Sequence, residues 1–423
     1  MKDVYIVGSH STAFGKKPTE SFKSLARETI TGVLADAQLE TGQGIDFAYF
    51  GNCAMHGVKQ GTIRGQALTI ELVDERLLQP RMPMINVEGG CATGSMTIHS
   101  AMKDIRSGAS DLVLAFGVEK LFIPRAATDP AMKQKMMKGF MNGVDNFDVP
   151  RLLDEYQRAA TYAGVSFDPQ TSHSVFMDTY AIQAAVHMKR FGTTQRQIAV
   201  AAAKNHNYGA LNPLAQYRFE MTADEVLSDR VISFPLTRSM CAPIGDGAAA
   251  ALVCSADRLS DFPTAVQDRA VRIRASVLTG GYYRDIEEPS LSHVAAQRAY
   301  EQAELGPDDV DVVELHDATS FSEIYQLEML GFAPFGEGGM LVESGATGPG
   351  GAIPVNTSGG LVSKGHPVGA TGLSMAYELV TQLRGEAGPR QVAGARIALQ
   401  ENGGGVIGLE EAACAVMLLE KAS

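Results

Sequence analysis

Paired cysteine is what this chain most plainly lacks. Its five cysteines, Cys53, Cys91, Cys241, Cys254 and Cys414, are odd in number and widely spaced, with no CxxC pair, so neither a disulfide framework nor a zinc site is indicated. Free thiols fit a reducing compartment, and the cytosol is the expected location. Long apolar runs are missing too: none reaches the roughly 20 residues that span a bilayer. The N-terminus enters the apolar run Val4 to Val7 with neither a basic region nor a cleavage site, and the ending Lys421-Ala422-Ser423 is not a good match to a peroxisomal address. Basic charge is short, with 36 Lys and Arg against 48 Asp and Glu and a net charge of -12. That balance argues against nucleic acid or an anionic membrane as the main partner and leaves room for a local basic patch. No phosphate-loop GxxxxGK[ST] pattern occurs, which removes nucleotide hydrolysis from contention.

What is present is ample core. The 423 residues are 45% hydrophobic and 20% charged, material for two or three compact units. Strand and helix signals alternate from the start: a strand at Val4 to Val7, a helix with Phe22, Leu25, Ala26, Ile30, Val33 and Leu34 on one face, and a strand at Phe47 to Gly51. A helix from Thr62 to about Leu77, a strand at Pro83 to Val87, a helix beyond it and a strand at Asp111 to Gly117 follow. Apolar strands in this order predict a mainly parallel sheet covered by helices on both faces. Between residues 121 and 240 the pattern breaks into a methionine-rich, mostly helical insertion, with runs at Val175 to Phe191 and Gln195 to Asn205 and with Met132, Met136 and Met141 near one helical face. The strand Gly247 to Cys254 then completes the first unit, over about 241–260.

A second alternating series begins at Val271. It contains strands at Val271 to Leu278, Val310 to Leu315, Ile353 to Asn356, Arg396 to Gln400 and Ala413 to Leu419, with helices at Leu291 to about Ala303, Ser322 to Leu330 and Gly372 to Arg384. Where the first series has GG-CATGS opening a helix, the second has GG-LVSKGHPVGATGLS. Such self-similarity reads as a duplicated half: residues 1–120, the insertion 121–240, and a second half at 261–423. Ligands in open α/β sheets bind at the carboxyl ends of strands, where Cys91 and His366 both fall.

Cys91 stands where a strand stops and a helix starts, in Ile85 to Ser95, INVEGGCATGS. Unpaired N–H groups at a helix N-terminus favour a thiolate, and lowering a thiol from about 8.5 to about 7 takes roughly 2 kcal/mol. Cys91 is therefore expected to be a nucleophile of lowered pKa. A lone cysteine or histidine is more often packing than chemistry, and the surrounding motifs decide otherwise here.

The segments VEGGCATGS, ELHDATSFSE, NTSGGLVSKGHPVGATG and LRGEAGPRQVAGARIALQENGGG together resemble the thiolase superfamily, and in particular the thiolases related to sterol carrier protein X. The resemblance spans nearly the whole chain. It implies a thiolase fold, two duplicated βαβαβαββ halves in a five-layer αβαβα sandwich with an inserted helical loop domain. It further implies acyl-CoA thioester substrates, coenzyme A as substrate or product with no tightly bound cofactor and no metal, and a homodimer or homotetramer. By the same resemblance Cys91 carries the acyl group and His366 accepts its proton. His316 and His366 hold the enolate oxygen of the second substrate, the amides of Cys91 and Gly403 form the other oxyanion hole, and Ser358 and Gly359 line the coenzyme A path.

One departure matters. Thiolases supply a second cysteine as acid/base, after His-Asp in the sterol-carrier-related group or two residues before a glycine of the last loop. Here those positions hold Ala318 and Glu401. A partly desolvated carboxylate suits a general base, so Glu401 is expected to replace the cysteine. Asp317 is expected as a turn or cap residue, and His206 receives no role. Three functions follow: an acyl-CoA C-acyltransferase cleaving 3-ketoacyl-CoA or running in reverse, a subunit active only with a small accessory protein, or a non-condensing acyl-CoA-binding scaffold.

Overall fold

Two alternating series do form, and they close on each other through their first strands. The computed structural model describes residues 2–122, 129, 143–169 and 174–422. The first series is β1 (Val4–Ser11), α1 (Phe22–Asp36), β2 (Phe47–Gly51), α2 (Arg64–Asp74), β3 (Met84–Val87), α3 (Thr93–Ser107) and β4 (Leu112–Lys120). Helices α4 (Val149–Ala163), α5 (Val175–Phe191) and α6 (Gln195–Leu211) follow, then β5 (Asp246–Ser255). The second series is β6 (Val271–Gly280), α7 (Leu291–Ala303), β7 (Val312–Glu314), α8 (Ser320–Met329), α9 (Val368–Arg384), β8 (Ile397–Gly404) and β9 (Ala413–Lys421).

The nine strands run in the order β3-β2-β4-β5-β1-β6-β9-β8-β7; β3–β2, β2–β4 and β8–β7 pair parallel and the other five neighbours antiparallel, so the mainly parallel sheet expected from the sequence is corrected to a mixed one. β1 and β6 meet only where Tyr5 and Ile6 face Arg272 and Val271, so the sheet consists of two half-sheets. Counted by order of appearance, strands of the first half lie third, second, fourth, fifth, first. The second half repeats that order if the parallel bridge between Val313 and Val355 is taken as its third strand. The strand expected at Ile353 to Asn356 is reduced to that bridge. Pro354 has no N–H to give a ladder, and the chain turns away at Asn356, whose φ is 56°.

Burial sorts the helices into layers. Leu25, Ile30 and Val33 of α1 and Leu68 and Leu72 of α2 pack on Phe50, Leu114 and Leu252 of the first half-sheet. Ile98 and Ile105 of α3 and Leu373 and Val380 of α9 lie between Val113 and Val253 on one side and Ala398 and Met417 on the other. Ala295 of α7, Phe321 and Ile324 of α8 and Ile198 of α6 cover Leu399, Val416 and Leu418. The result is the five-layer αβαβα sandwich. Central α9 is buried along nearly its whole length, as a helix between two sheets must be.

Helix α4 was not expected from the sequence, although Asp148 caps it and a proline stands in its first turn, both ordinary start signals. Leu152 and Tyr156 of α4 and Ile182 and Val186 of α5 pack on Val406 and Leu409, beyond the end of β8. Met132, Met136 and Met141 lie outside the described residues. No helix among the described residues is long and apolar enough to cross a membrane.

The central helices touch through glycine. A Cβ on Gly94 would lie 2.7 Å from the Leu373 nitrogen, and one on Gly372 would lie 2.4 Å from the Ser95 nitrogen. Gln400 Nε2 donates to both Ser95 Oγ and the Gly372 carbonyl at 2.7 Å, and Ser95 Oγ donates to Asn402 Oδ1 at 2.8 Å, tying both helices to β8. Overpacking here has no flexible side chain to absorb it. Gly94→Ala is expected to lower stability by roughly 1–3 kcal/mol, read as a lower urea midpoint by circular dichroism; an unchanged midpoint would show that the helices can spread.

Candidate active site

β3 ends at Val87, and the backbone then turns through Gly89 and Gly90 into a single 3-10 turn, Gly90–Ala92, ahead of α3. Gly90 has φ +58, and a Cβ there would sit 2.4 Å from the Gly405 nitrogen, so no other residue fits. Thr93 staples the turn, its hydroxyl donating to the Gly90 carbonyl at 2.6 Å and accepting the Gly89 N–H at 2.9 Å. This leaves the Cys91 sulfur beside two amides, its own and that of Gly405.

His366 reaches the same sulfur from the other half. Gly365, with φ +104, makes the reversal before α9, and His366 Nε2 lies 3.1 Å from Cys91 Sγ. Its Nδ1 lies 2.8 Å from Thr371 Oγ1, which itself donates to the Pro367 carbonyl at 3.1 Å. The hydroxyl has one proton, already given, so it accepts from Nδ1–H. Nε2 then holds a lone pair facing the thiol, the tautomer a base needs.

His316 follows β7 and closes the group. The reactive atoms of Cys91, His316 and His366 all lie within 4.8 Å of one another, and the two rings meet edge to face with centroids 5.3 Å apart. Both ring nitrogens of buried His316 lack a hydrogen-bond partner among the described residues. A buried donor without a partner costs about 1–3 kcal/mol, and this one is aimed into the site. The three side chains include ligand types zinc accepts, but no fourth His, Cys, Asp or Glu atom joins them among the described residues.

Burial sets the charges. The Cys91 thiol is pushed up to about 12, by burial first and then by the negative charge of Glu411. Burial also drives His366 well below the usual histidine range and His316 down to about 4. The expectation of a thiolate therefore needs correction: two amides do not offset the loss of water. Cys91 and His366 rest as a neutral hydrogen-bonded pair.

Two family models divide the chain: the thiolase N-terminal domain matches residues 4–226 and the thiolase C-terminal domain-like model matches residues 283–418. The chain belongs to the thiolase family. It is 36% identical to an acetyl-CoA acetyltransferase of Methanothermobacter thermautotrophicus over 96% of this chain and 98% of the relative. It is 36% identical to sterol carrier protein 2 of Oryctolagus cuniculus over 94% of this chain and 69% of the relative. With the benzoylsuccinyl-CoA thiolase subunit BbsB of Thauera aromatica it shares 30% identity over 92% and 91%. A solved structure titled Ltp2-ChsH2(DUF35) aldolase superposes with a TM-score of 0.75 at 21% identity, covering 99% of this chain and 98% of that one. The protein is an acyltransferase of this family.

Other expected thiolase positions are placed differently. Glu401 is fully buried, and its carboxylate accepts the His316 backbone N–H at 3.1 Å, the Cys414 thiol at 3.3 Å and the Gly403 N–H. Burial and Glu411 raise it to about 8. Gly403 thus turns its amide to Glu401, and the second amide at Cys91 is that of Gly405, a correction of two residues. Ser358 is fully buried with its N–H and hydroxyl both donating to Glu314, at 2.9 and 2.6 Å. A Cβ on Gly359 would lie 2.7 Å from Gly209 Cα. Neither residue offers a surface to coenzyme A, contrary to expectation. Asp317 accepts the Leu361 N–H at 2.6 Å and Asn205 Nδ2 at 2.9 Å, the cap role foreseen. His206 bonds the Ser239 carbonyl at 3.0 Å and stacks on Phe219, which makes it packing.

Two supports were missed by sequence reading, Thr371 and Glu119. Glu119, at the end of β4, accepts N–H groups of Cys53, Ala54 and Gly369 at 2.9, 3.2 and 3.2 Å and Asn52 Nδ2 at 2.7 Å. It joins the first half to the start of α9 beside His366, and burial raises it to about 7. A glutamate ending a strand carries no motif. Thr371 had a signal, lying one turn into the helix after Gly-His-Pro.

Because Cys91 rests protonated, its alkylation by iodoacetamide is expected to accelerate steadily from pH 6 to beyond pH 9, followed by intact mass. A plateau below pH 7 would mean a stabilised thiolate.

Proposed function

We propose that this protein is an acyl-CoA C-acyltransferase that cleaves a 3-ketoacyl-CoA with coenzyme A, or runs the reverse condensation, through an acyl-Cys91 intermediate. One observation carries the reading: a neutral Cys91–His366 pair at 3.1 Å beside unpartnered His316. In thiolysis His366 Nε2 takes the Cys91 proton as the sulfur attacks the C3 carbonyl. The C2–C3 bond breaks and its electrons pass to the enolate of the shorter thioester, whose oxygen His316 holds by a ring N–H. A second acid/base group gives a proton to C2 and is then recharged by the proton of the coenzyme A thiol. The sulfur of coenzyme A attacks the acyl carbonyl, and Cys91 leaves with the proton from His366. Splitting the transfer in this way replaces one difficult step by two easier ones. The amides of Cys91 and Gly405 stand where the thioester oxygen would gain charge. In this reading Glu401 is a positioning residue that fixes the His316 backbone.

Incubation with a panel of acyl-CoAs and 3-ketoacyl-CoAs is expected to give a mass adduct on the wild-type chain and none on Cys91→Ala. His316→Ala should keep the adduct and lower thiolysis about 100- to 1,000-fold, as loss of one oxyanion donor does. No adduct with any thioester would favour the scaffold alternative.

A second reading has support of its own. One relative is named a subunit, and the solved structure's title joins Ltp2 to ChsH2(DUF35). A small protein that co-purifies from the native host, and whose addition alone confers thiolysis, would establish it. We also propose a homodimer across β3. That strand is an open sheet edge, Ile85 on it is 49% exposed, and Val58, Ile63 and Ile70 lie exposed on neighbouring segments. Ile85→Lys is expected to yield monomer by light scattering; an unchanged mass would exclude this edge.

A further inference from the structure

Two adjacent glutamates follow the turn after β8, and the fold treats them differently. Glu410 is committed, lying 3.3 Å from Arg284 and accepting the N–H groups of Tyr282 and Leu291 at 3.1 and 2.7 Å. Glu411 has no ion pair and no hydrogen bond from another residue among the described residues; only its own backbone N–H reaches its carboxylate. Its side chain lies across Gly403, where a Cβ would come within 2.8 Å of Glu411 Cγ and 3.2 Å of Oε1. The absent side chain at 403 leaves room for this carboxylate beside the glycine run, whose last amide, Gly405, meets the Cys91 sulfur. Glu411 is the strongest charge acting on the Cys91 thiol and on the hydroxyl of buried Tyr180 from α5, and it also acts on Glu401. Beside the sulfur stands His316, whose ring nitrogens have no partner among the described residues.

The chemistry needs one more proton carrier, at the carbon next to the thioester of the second substrate. Glu401 is occupied by three donors and has no exposed surface. Cys414 lies behind it, fully buried, and Ala318 has nothing to offer. We propose that Glu411 is the acid/base group that moves the proton on this carbon, the role for which the chain has no cysteine. In condensation Glu411 takes a proton from C2 of the incoming thioester. The enolate, held by His316, attacks the acyl carbonyl, a C2–C3 bond forms, and the Cys91 sulfur leaves with the proton held by His366. In thiolysis protonated Glu411 gives its proton to C2 as the C2–C3 bond breaks and then takes the proton of the coenzyme A thiol. Burial holds Glu411 above the usual carboxylate range, which suits a group that must do both near neutral pH.

The assignment rests on the acyltransfer reading, and the test separates the two. An acyl-CoA that forms the Cys91 adduct is incubated with wild type, Glu411→Gln, Glu411→Asp and Glu411→Ala in deuterium oxide, and deuterium uptake at C2 is measured by mass. Glu411→Gln should keep the adduct and lose exchange by about 100- to 10,000-fold, the usual range for a general base. Glu411→Asp should recover part of it, and added formate should restore exchange to Glu411→Ala. Absence of an adduct on wild type would overturn the acyltransfer reading itself. An adduct with exchange unchanged in Glu411→Gln, exchange absent from wild type, or a loss in Glu411→Ala that formate does not rescue, would overturn Glu411 and leave that reading standing. Comparing urea midpoints identifies any variant lost to misfolding, and Glu411→Asp then decides.

Discussion

The contact between α3 and α9 at Gly94 and Gly372 is the constraint on which the site depends. Each helix starts with one reactive side chain just ahead of it, Cys91 before α3 and His366 before α9, and each belongs to a different half of the duplicated chain. Only where two helices can touch backbone to backbone do their leading ends come close enough for a sulfur and an imidazole nitrogen to share a proton at 3.1 Å. A Cβ on Gly117 would lie 2.1 Å from the Gly369 carbonyl, so β4 closes on the start of α9 in the same manner. Bulk at these points would act on the chemistry through distance, without touching a reacting atom.

The same packing excludes water, and that determines the electrostatics. Burial shifts the reactive groups toward their neutral forms: the thiol upward, both histidines downward, Glu119 up to about 7 and Glu401 up to about 8. Such carboxyls keep protons in the folded state that the unfolded chain releases near its ordinary pKa. The folded state therefore binds more protons between about pH 4.5 and 8, and these groups favour folding less as pH rises through that window. A neutral resting site is consistent with the proposed reaction, in which charge arises transiently on a thioester oxygen and fixed donors receive it. Fixed dipoles in a dry pocket are worth more than the same groups in water.

Much of this architecture was legible because the fold is repetitive. Period-two and period-3.6 patterns located nearly all strands and helices, and the parallel between GG-CATGS and GG-LVSKGHPVGATGLS exposed the duplication that the strand orders of both half-sheets display. The turn glycines and Pro367 drew attention to Cys91 and His366, whereas His316, at the end of the apolar run Val310 to Leu315, was marked only by the family resemblance. What was not legible depended on facing and burial. The helix N-terminus suggested a thiolate, yet burial of the sulfur is visible only once the second half covers it. Ser358 looked available beside the glycine block, but Glu314 on β7, distant in sequence, claims both its polar atoms. The amide at Cys91 came out two residues from its expected place because strand β8 runs on through Gly404 before it turns at the nucleophile.

Strand alternation explains why the first glutamate to attract notice is bound elsewhere. Gln400 and Asn402 point to the central layer, where they bond Ser95, so Glu401 must point to the opposite face, under the His316 backbone. There a carboxylate has two amides and a thiol to satisfy and no open side. A glutamate at that position can hold a histidine in place and do little else. The next outward position is Gly403, and the space left by its missing side chain is taken by Glu411, which returns from the following turn. An acid/base group need not keep its place in the sequence when a neighbouring strand can deliver a carboxylate to the same face. What the proposed reaction requires is a proton acceptor at a fixed place relative to sulfur and enolate, and in this chain the empty position at Gly403 is what gives Glu411 room beside β8.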